Sequence, residues 1–463
     1  MAAPLLTALA ESERSVFWLD SADAPEPLPP LEGERSCDLA IVGGGFTGLW
    51  AALLAPPEDE VVLLEGERCG WAASGRNGGF VDPSLTHGLE NGLARWPAEV
   101  GRLEQLGAEN FAAIQETLTA RAIDARWEQN GTIDVATRRH EVDWLGDAAR
   151  VARKHGARVE PLDREAVQAE VHSPTYLAGL HWPDEGALVD PARLAWGLRR
   201  AALDDGATIH ERTPVTAITR AGDGALLATP GGRVRARRLL LATNAFRPLV
   251  RAVARYVIPV YDYVLVTEPL TAAQRESIGW RRRQGLADSG NRFHYYRLTA
   301  DDRILWGGYE AIYHWRNGMR PELEENPAAF NLLAANFART FPQLEGVRFS
   351  HRWAGAIDTC SRFCVLFGRA LGGRAAYAVG YTGLGVAATR FGARVALDLV
   401  YGRDTELTRL ELVRSRPLPF PPEPARSLVV GATRRALIRA DENGGRRGPW
   451  LRLLDRVGAG FDS

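Results

Sequence analysis

Lysine is almost absent from this sequence: of 56 lysine and arginine side chains, only Lys154 is a lysine. Chemistry that needs a lysine amine at a particular place has a single residue to draw on. Cysteine is scarce as well. Cys37, Cys69, Cys360 and Cys364 are too few in 463 residues for a disulfide scaffold, and they suit a reducing compartment. Excess charge of either sign is missing: the formal net charge is −1, with 24% charged and 46% hydrophobic residues. That balance excludes both a nucleic-acid footprint and a disordered chain, and it favours a small or neutral partner. No window approaches 18 uninterrupted apolar residues, so neither a spanning helix nor a membrane partner is expected. The N-terminal MAAPLLTALAESERSVFWLD has no basic segment before its short apolar stretch and acidic residues directly after it, a poor secretory signal. The cytoplasm is the expected location.

What the chain does contain is length enough for two or three domains, since single cores stop growing near 250–300 residues. Residues 21–36 are rich in proline and glutamate and read as an extended arm. The apolar runs DLAIV and EVVLLE, separated by a helix-length segment, have the composition of buried parallel strands and form a βαβ unit. Residues 206–246 alternate in short strands split by GDG and PGG turns, a meander that feeds RLLLAT back into the core sheet. YVIPVYDYVLVTEPL and NRFHYYRLTADDRILWGGYE alternate polar and apolar residues, as antiparallel strands with one covered face do. Near the end, AAYAVGYTGLGVAATRFGARVALDLVYG reads as strand, glycine turn and long helix. After Gly402 no period is evident.

Gly43, Gly45 and Gly48 form G-x-G-x-x-G directly after a strand and at the head of a helix. The first glycine permits the tight turn, the second lets backbone approach a pyrophosphate, and the third allows close helix-to-strand packing. Glu65, 22 residues past Gly43, ends the next strand, where a carboxylate can accept from the ribose hydroxyls of an adenosine. A ligand-free glycine turn is the plainer alternative. Residues 70–80, GWAASGRNGGF, form a second small-residue loop, and GYTGLGV at residues 380–386 opens the last helix, whose free amides can face negative charge developing on a flavin. A nicotinamide dehydrogenase needs neither loop, so FAD is the better choice of dinucleotide.

On these residues the chain resembles the superfamily of D-amino-acid oxidase and sarcosine oxidase, most nearly its branch of gamma-glutamylputrescine oxidase-like enzymes. The resemblance rests on VGGGFTGL, LEGERCGWAASGRNGG, ATNAF, VTEPL, YYRLTADDRILWGG and GYTGLGVA, and it spans about residues 36–405. It implies an α/β flavoprotein of two domains: a Rossmann-like FAD domain from residues 36–90, 186–250 and 351–405, and a substrate domain with an antiparallel sheet from residues 91–185 and 251–350. Residues 1–35 are then an N-terminal arm and 406–463 a C-terminal tail. Noncovalent FAD would be held by Gly43, Gly45, Phe46, Thr47 and Gly48 of the first loop and by Glu65, Gly66 and Arg68 after the second strand. Ala73, Ser74, Gly75, Arg76, Asn77, Gly78 and Gly79 would lie along the second loop, Val215 would meet the adenine through its backbone, and Thr243 and Asn244 would follow the ATNAF strand. Gly380, Gly383, Leu384, Gly385 and Val386 would face the flavin.

The chain departs from the family in two places. Sarcosine oxidase-like members tether FAD to a cysteine just before the region of RWAGAIDT, where this sequence has none; Cys360 and Cys364 lie downstream and read best as core, so no metal is expected. Some members place His and Lys in the last glycine turn, where Leu384 and Ala387 stand here. Without that lysine an α-carboxylate has no partner, and an extended or modified amine is the expected substrate. Arg76, Arg297 or Arg390 could hold a more distant acidic group.

The aromatic residues Tyr261, Tyr263, His294, Tyr295, Tyr296, Trp306, Tyr309 and Trp353 fall on the second sheet or where it meets the flavin, and a few of them can wall an amine pocket. The candidates are Tyr296, Trp306, Trp353 and Tyr381 for catalysis, and Tyr263, His294 and Arg297 for binding substrate, although most such residues are core and His294 taken alone is structural. The expected reaction is oxidation of a C–N bond: hydride to the flavin N5, hydrolysis of the imine, and electrons to molecular oxygen giving hydrogen peroxide. Two alternatives stay open, a dehydrogenase using another acceptor and a non-enzymatic FAD-binding subunit.

Overall fold

The computed structural model describes residues 6–458. Gly33–Val42 and Val61–Leu64 pair in parallel, Leu39 opposite Val61 and Val42 opposite Leu64, with helix Phe46–Leu54 between them in the chain. Both faces of these strands are covered, which is why their buried stretches are apolar at every position. Thr208–His210 extends the sheet beyond Val61–Leu64, while Gly232–Leu241 and then Ala375–Val379 add on the other side of Gly33–Val42, all parallel. Leu366–Ala370 ends that edge antiparallel to Ala375–Val379, and the hairpin of Ala217–Ala221 and Gly224–Ala228 pairs along Gly232–Leu241. Strands from both ends of the chain therefore share one sheet, and helix Gly385–Tyr401 packs beside helix Phe46–Leu54.

A second, nine-stranded sheet is mainly antiparallel. Its order runs Ile312–Tyr313, Ile258–Thr267, Ile304–Gly308, His294–Leu298, Gly285–Asp288, Thr132–Ala136, Ala178–Trp182 and Glu160–Leu162, with Phe349–Thr359 on the free side of Ile258–Thr267. The protein is thus the mixed α/β fold expected from sequence, a doubly covered parallel sheet beside an antiparallel one.

Three segments differ from the sequence expectation. Phe349–Thr359 falls mostly in the stretch 351–405 assigned to the FAD domain, yet it pairs along its whole length with Ile258–Thr267, from Ile258 opposite Thr359 to Thr267 opposite Phe349. Helix Val100–Ala120 falls in the stretch 91–185 assigned to the substrate domain. Its Leu103, Leu106, Phe111, Ile114 and Leu118 instead join the core built around Leu39, Ile41 and the helix Gly385–Tyr401, and Asn110 Nδ2 donates to the Ala387 carbonyl at 2.9 Å. The tail, expected to carry no period, contains the helices Ala425–Glu442 and Pro449–Arg456. No helix among the described residues is long and apolar enough to cross a membrane.

Candidate functional site

The glycine turn at residue 43 works by leaving room. Gly43 has φ 107°, and a Cβ there would lie 2.4 Å from the Ala242 carbonyl oxygen; a Cβ on Gly48 would lie 1.9 Å from the Gly43 oxygen. Turn, helix and neighbouring strand end therefore touch backbone to backbone. Helix Phe46–Leu54 has no capping side chain of its own. Ser74 of the second loop supplies one, its Oγ accepting from the Phe46 amide at 2.9 Å, so the two loops are locked together.

Glu65 follows Val61–Leu64 and is buried, its Oε2 accepting from the Gly44 amide at 2.5 Å and its Oε1 from the Glu67 amide at 2.9 Å. Burial pushes this carboxyl up from its ordinary value, and the two amides oppose that shift. The Thr213 amide donates to the Glu65 carbonyl at 2.7 Å, which sets Pro214 and half-buried Val215 beside Gly66. Arg68 turns away to the Pro25 carbonyl. One acid the sequence did not single out supports this corner: buried Glu211 accepts from the Cys69 and Leu28 amides, each at 2.8 Å, and pairs with Arg199 at 3.3 Å.

Residues 73–79 are fixed largely by their own polar groups. Asn77 donates through Nδ2 to the Ala73 and Ser74 carbonyls and accepts through Oδ1 from the Gly79 amide. Two indoles clamp the loop from outside, Trp18 Nε1 on the Asn77 carbonyl and Trp353 Nε1 on the Arg76 carbonyl, each at 2.9 Å. Trp18 belongs to the segment read as an arm; the adjacent Phe17 and Trp18 were the available signal. Arg76 is committed to Glu324 at 2.7 Å and to the Ala354 carbonyl.

The third glycine loop is anchored by Asp358. Its Oδ2 accepts from the Gly380 amide at 2.5 Å and its carbonyl from the Thr382 amide at 3.2 Å. Burial drives the Asp358 carboxyl up to about 7. Helix Gly385–Tyr401 begins here with no side-chain cap, and the space where a Gly383 Cβ would sit is open.

All three loops meet on one cavity of about 1630 Å³. Residues 45–47, Ser74, 76–78 and 381–386 line one side, and Tyr261, Asp262, Tyr295, Tyr309 and residues 355–360 line another. A dinucleotide with a flavin ring fits this arrangement: a side-chain-free turn for the pyrophosphate, a carboxylate at the end of the adjoining strand for the ribose, and an uncapped helix start facing open space. Among the lining residues, carboxylates outnumber arginines by more than two to one and lysine is absent, although the whole chain carries a net charge of only −1.

Of the residues expected to act in catalysis or to bind substrate, the structure brings two to the cavity: Tyr381, its hydroxyl 2.8 Å from Thr47 Oγ1, and Arg76, already paired with Glu324. Trp306 is fully buried, stacked on His294. His294 is saturated, with Nδ1 on the Gly307 carbonyl and Nε2 on Asn336 Nδ2, and burial lowers its pKa to about 3. Tyr296 bonds Tyr176 and Asp288, and Tyr263 donates to the Leu323 carbonyl. Arg297 is buried against the Val189 carbonyl and the Trp18 ring, and Arg390 reaches Asn110 below the Trp50 ring. Trp353 meets the cofactor loop from behind. Of the remaining cofactor candidates, Asn244 lines the cavity whereas Thr243 and Gly380 sit just outside it.

Tyr261, Tyr295 and Tyr309, aromatics of the second sheet expected to be able to wall a pocket, do line the cavity, whereas Asp262 beside them was not singled out from the sequence. Tyr295 Oη donates to Asp262 Oδ2 at 2.5 Å, and its ring packs so close to Gly78 that a Cβ there would lie 2.7 Å from Tyr295 Cε2. Burial pushes the Asp262 carboxyl up to about 6.

The profile of the family described as FAD dependent oxidoreductase, DAO, matches residues 38–399. The chain belongs to the DAO family. Among its curated relatives, gamma-glutamylputrescine oxidoreductase of Escherichia coli is 32% identical over 416 residues, covering 88% of this chain and 93% of that protein. A probable oxidoreductase OrdL of Haemophilus influenzae is 29% identical, covering 85% and 90%. The crystal structure of glycine oxidase from Geobacillus kaustophilus shares the fold with a TM-score of 0.68 at 21% identity, covering 82% of this chain and 99% of that one. As a DAO-family enzyme the protein is an FAD-dependent oxidoreductase. Its four thiols are all buried and free, and Cys360 Sγ is turned to the carbonyls of Cys364 and Gly380.

Proposed function

We propose that this DAO-family oxidoreductase oxidises the C–N bond of an extended cationic amine, releases an imine that hydrolyses, and delivers the electrons to molecular oxygen as hydrogen peroxide. One observation carries the reading: the cavity shared by the three glycine loops is lined by an excess of carboxylates. Such a lining concentrates cations and excludes anions. FAD, when bound, supplies the two-electron oxidant.

The chain's own residues do the rest. Glu65 and the amides at residues 43–48 hold the adenosine diphosphate end, and the uncapped start of helix Gly385–Tyr401 presents partial positive charge to the reacting end. Asp262 accepts a proton from the incoming ammonium on its carboxylate oxygens, and Tyr295 holds that carboxylate in place through Oδ2. Only the neutral amine has a lone pair with which to expel hydride from the adjacent carbon. The buried aromatic wall keeps water from the reacting atoms. Arg76 is engaged by Glu324, and Arg434 and Arg292 pair with Glu310, which leaves a carboxylate borne on the reacting carbon no unpaired cation among these residues, whereas a carboxylate many bonds from the reacting nitrogen can stay in solvent. An amine extended in the manner of gamma-glutamylputrescine, the substrate named for the Escherichia coli relative, fits better than glycine or sarcosine.

On this reading the FAD domain comprises residues 36–90, 186–250 and 360–405, the other strands form the substrate domain, and four buried free thiols favour the cytoplasm. The absence of lysine from the lining favours a second reading in which an acceptor other than oxygen takes the electrons. A coupled peroxide assay in air, run with sarcosine, D-alanine, putrescine and gamma-glutamylputrescine, tests both points. Peroxide released fastest with gamma-glutamylputrescine is expected. Turnover with a dye acceptor but no peroxide would move the reaction to the second reading, and fastest turnover with sarcosine or D-alanine would refute the substrate class.

A further inference from the structure

The C-terminal segment lies wholly outside the family match, which ends at residue 399, yet it reaches the cavity. In helix Ala425–Glu442 the lining residues are Val429, Val430, Thr433, Arg434 and Leu437. Their spacing of 1, 4, 5 and 8 residues from the first selects one face of an α-helix. Leu428, 67% exposed, together with Arg435 and Arg439, marks the outer face. Val429, Val430 and Leu437 are half-buried and belong to none of the buried apolar clusters, so the inner stripe of this helix packs on no core. It is a wall of the cavity.

Polar contacts hold the wall where it is. Buried Asp441 accepts from the Asn291 amide, from Asn291 Nδ2 at 2.6 Å and from the Arg292 amide. Arg434 pairs with Glu310, and Glu423 accepts from Tyr313 Oη at 2.6 Å. The partners all come from the second sheet or the loops that join its strands. Helix Pro449–Arg456 packs against it through Trp450 Nε1, which donates to Thr433 Oγ1 at 3.0 Å, and its Leu454 also lines the cavity.

We infer that the inner face of helix Ala425–Glu442 is a specificity-determining wall, at which Val429, Val430 and Leu437 receive an aliphatic chain on the substrate several bonds from the reacting nitrogen. The inference rests on the proposed amine oxidation for the chemistry of the reacting end. Three features support this occupant. The stripe is apolar, it is continuous with the cavity lined by the flavin-facing loops, and a cavity of about 1630 Å³ exceeds the roughly 300–1,000 Å³ usual for a small ligand alone. Each methylene that leaves water against such a wall tightens binding roughly fourfold.

The test uses the FAD-loaded protein and n-alkylamines from propyl to octyl, with dissociation constants measured by calorimetry and limiting flavin-reduction rates by anaerobic stopped flow. Val430→Trp and Leu437→Trp fill the groove, and Leu428→Trp adds the same ring to the exposed face as a control. In the unaltered protein, affinity should rise with chain length, by about threefold or more per methylene. The two inner-face variants should lose that length dependence and keep their flavin content. Leu428→Trp should behave as the unaltered protein. Length dependence preserved in both inner-face variants would overturn the inference. If no amine reduces the flavin, the proposed oxidation fails instead, and the calorimetric series still decides whether the wall binds alkyl chains.

Discussion

Replacing Gly48 by alanine should separate cofactor binding from the rest of the fold. The added methyl would sit 1.9 Å from the Gly43 oxygen, 3.1 Å from the Gly43 carbonyl carbon and 3.3 Å from Ile41 Cγ2. A carbon and an oxygen in contact sit about 3.3 Å or more apart, so helix Phe46–Leu54 and the turn must separate by about 1.4 Å. Neither side can yield by rotating a side chain, because the closest atoms are backbone. Overpacking of this kind costs about 1–3 kcal/mol. Placed on the FAD-bound form, that cost weakens cofactor affinity by about 5- to 150-fold. The assay is titration of the apoprotein with FAD by fluorescence quenching, together with flavin content on purification. Gly101→Ala, in helix Val100–Ala120 with nothing within 4 Å of its Cβ position, is the matched control and should bind FAD normally. Gly48→Ala binding FAD as tightly as the unaltered protein would refute the claim that this turn is packed against the cofactor-binding helix.

Other outcomes follow from the same geometry. If Glu65 holds the ribose, Glu65→Ala removes that acceptor together with the one for the Gly44 and Glu67 amides, so FAD affinity should fall by roughly 10- to 150-fold, on the scale of about 1.5–3 kcal/mol for a charged hydrogen bond; equilibrium dialysis would detect it. If Asp262 takes the proton of the amine, kcat/KM should rise with pH through about 6 as that carboxyl ionises, and Asp262→Asn should remove that limb of the profile. Asp134, pushed up to about 6 by burial, holds a proton in the folded protein that the unfolded chain has already released. Stability should therefore decline as pH rises from about 4 past 6, and Asp134→Asn should raise the melting temperature at pH 8 while leaving it unchanged at pH 4. Burial drives the Cys37 and Cys364 thiols up to about 12 and raises those of Cys69 and Cys360, so a maleimide at neutral pH should label none of the four until the protein is unfolded.

The glycine turns that border the cavity were legible in the sequence because their signals are local. A strand, a glycine turn, a helix start and an acid after the next strand lie within 28 residues, 38–65, and Gly43 and Gly48 are required by contacts inside that stretch or with the end of one neighbouring strand. The aromatic lining was legible only in part: Tyr261, Tyr295 and Tyr309 were among the residues expected to be able to wall a pocket, but residue type alone does not say which face each strand buries. On His294–Leu298, His294 and Tyr296 point into the core while Tyr295 lines the cavity; on Ile258–Thr267, Tyr263 is buried and Asp262 is exposed to the cavity. Successive side chains alternate between faces, so an offset of one residue exchanges core for site. Both faces of this sheet carry aromatics, and composition could not distinguish them. The wall supplied by Ala425–Glu442 was invisible for another reason: polar anchors such as Asp441 hold the helix, leaving only a short apolar stripe to register as a period.

The central claim is that a cationic amine reduces the flavin held between the three glycine loops. The direct measurement is the visible flavin absorption of purified protein under anaerobic conditions before and after addition of gamma-glutamylputrescine. Bleaching that is complete and saturable in amine, and slowed at least tenfold by Asp262→Asn at neutral pH, is the predicted result. A flavin band that no amine bleaches, in protein whose flavin is still reduced by dithionite, would contradict the account.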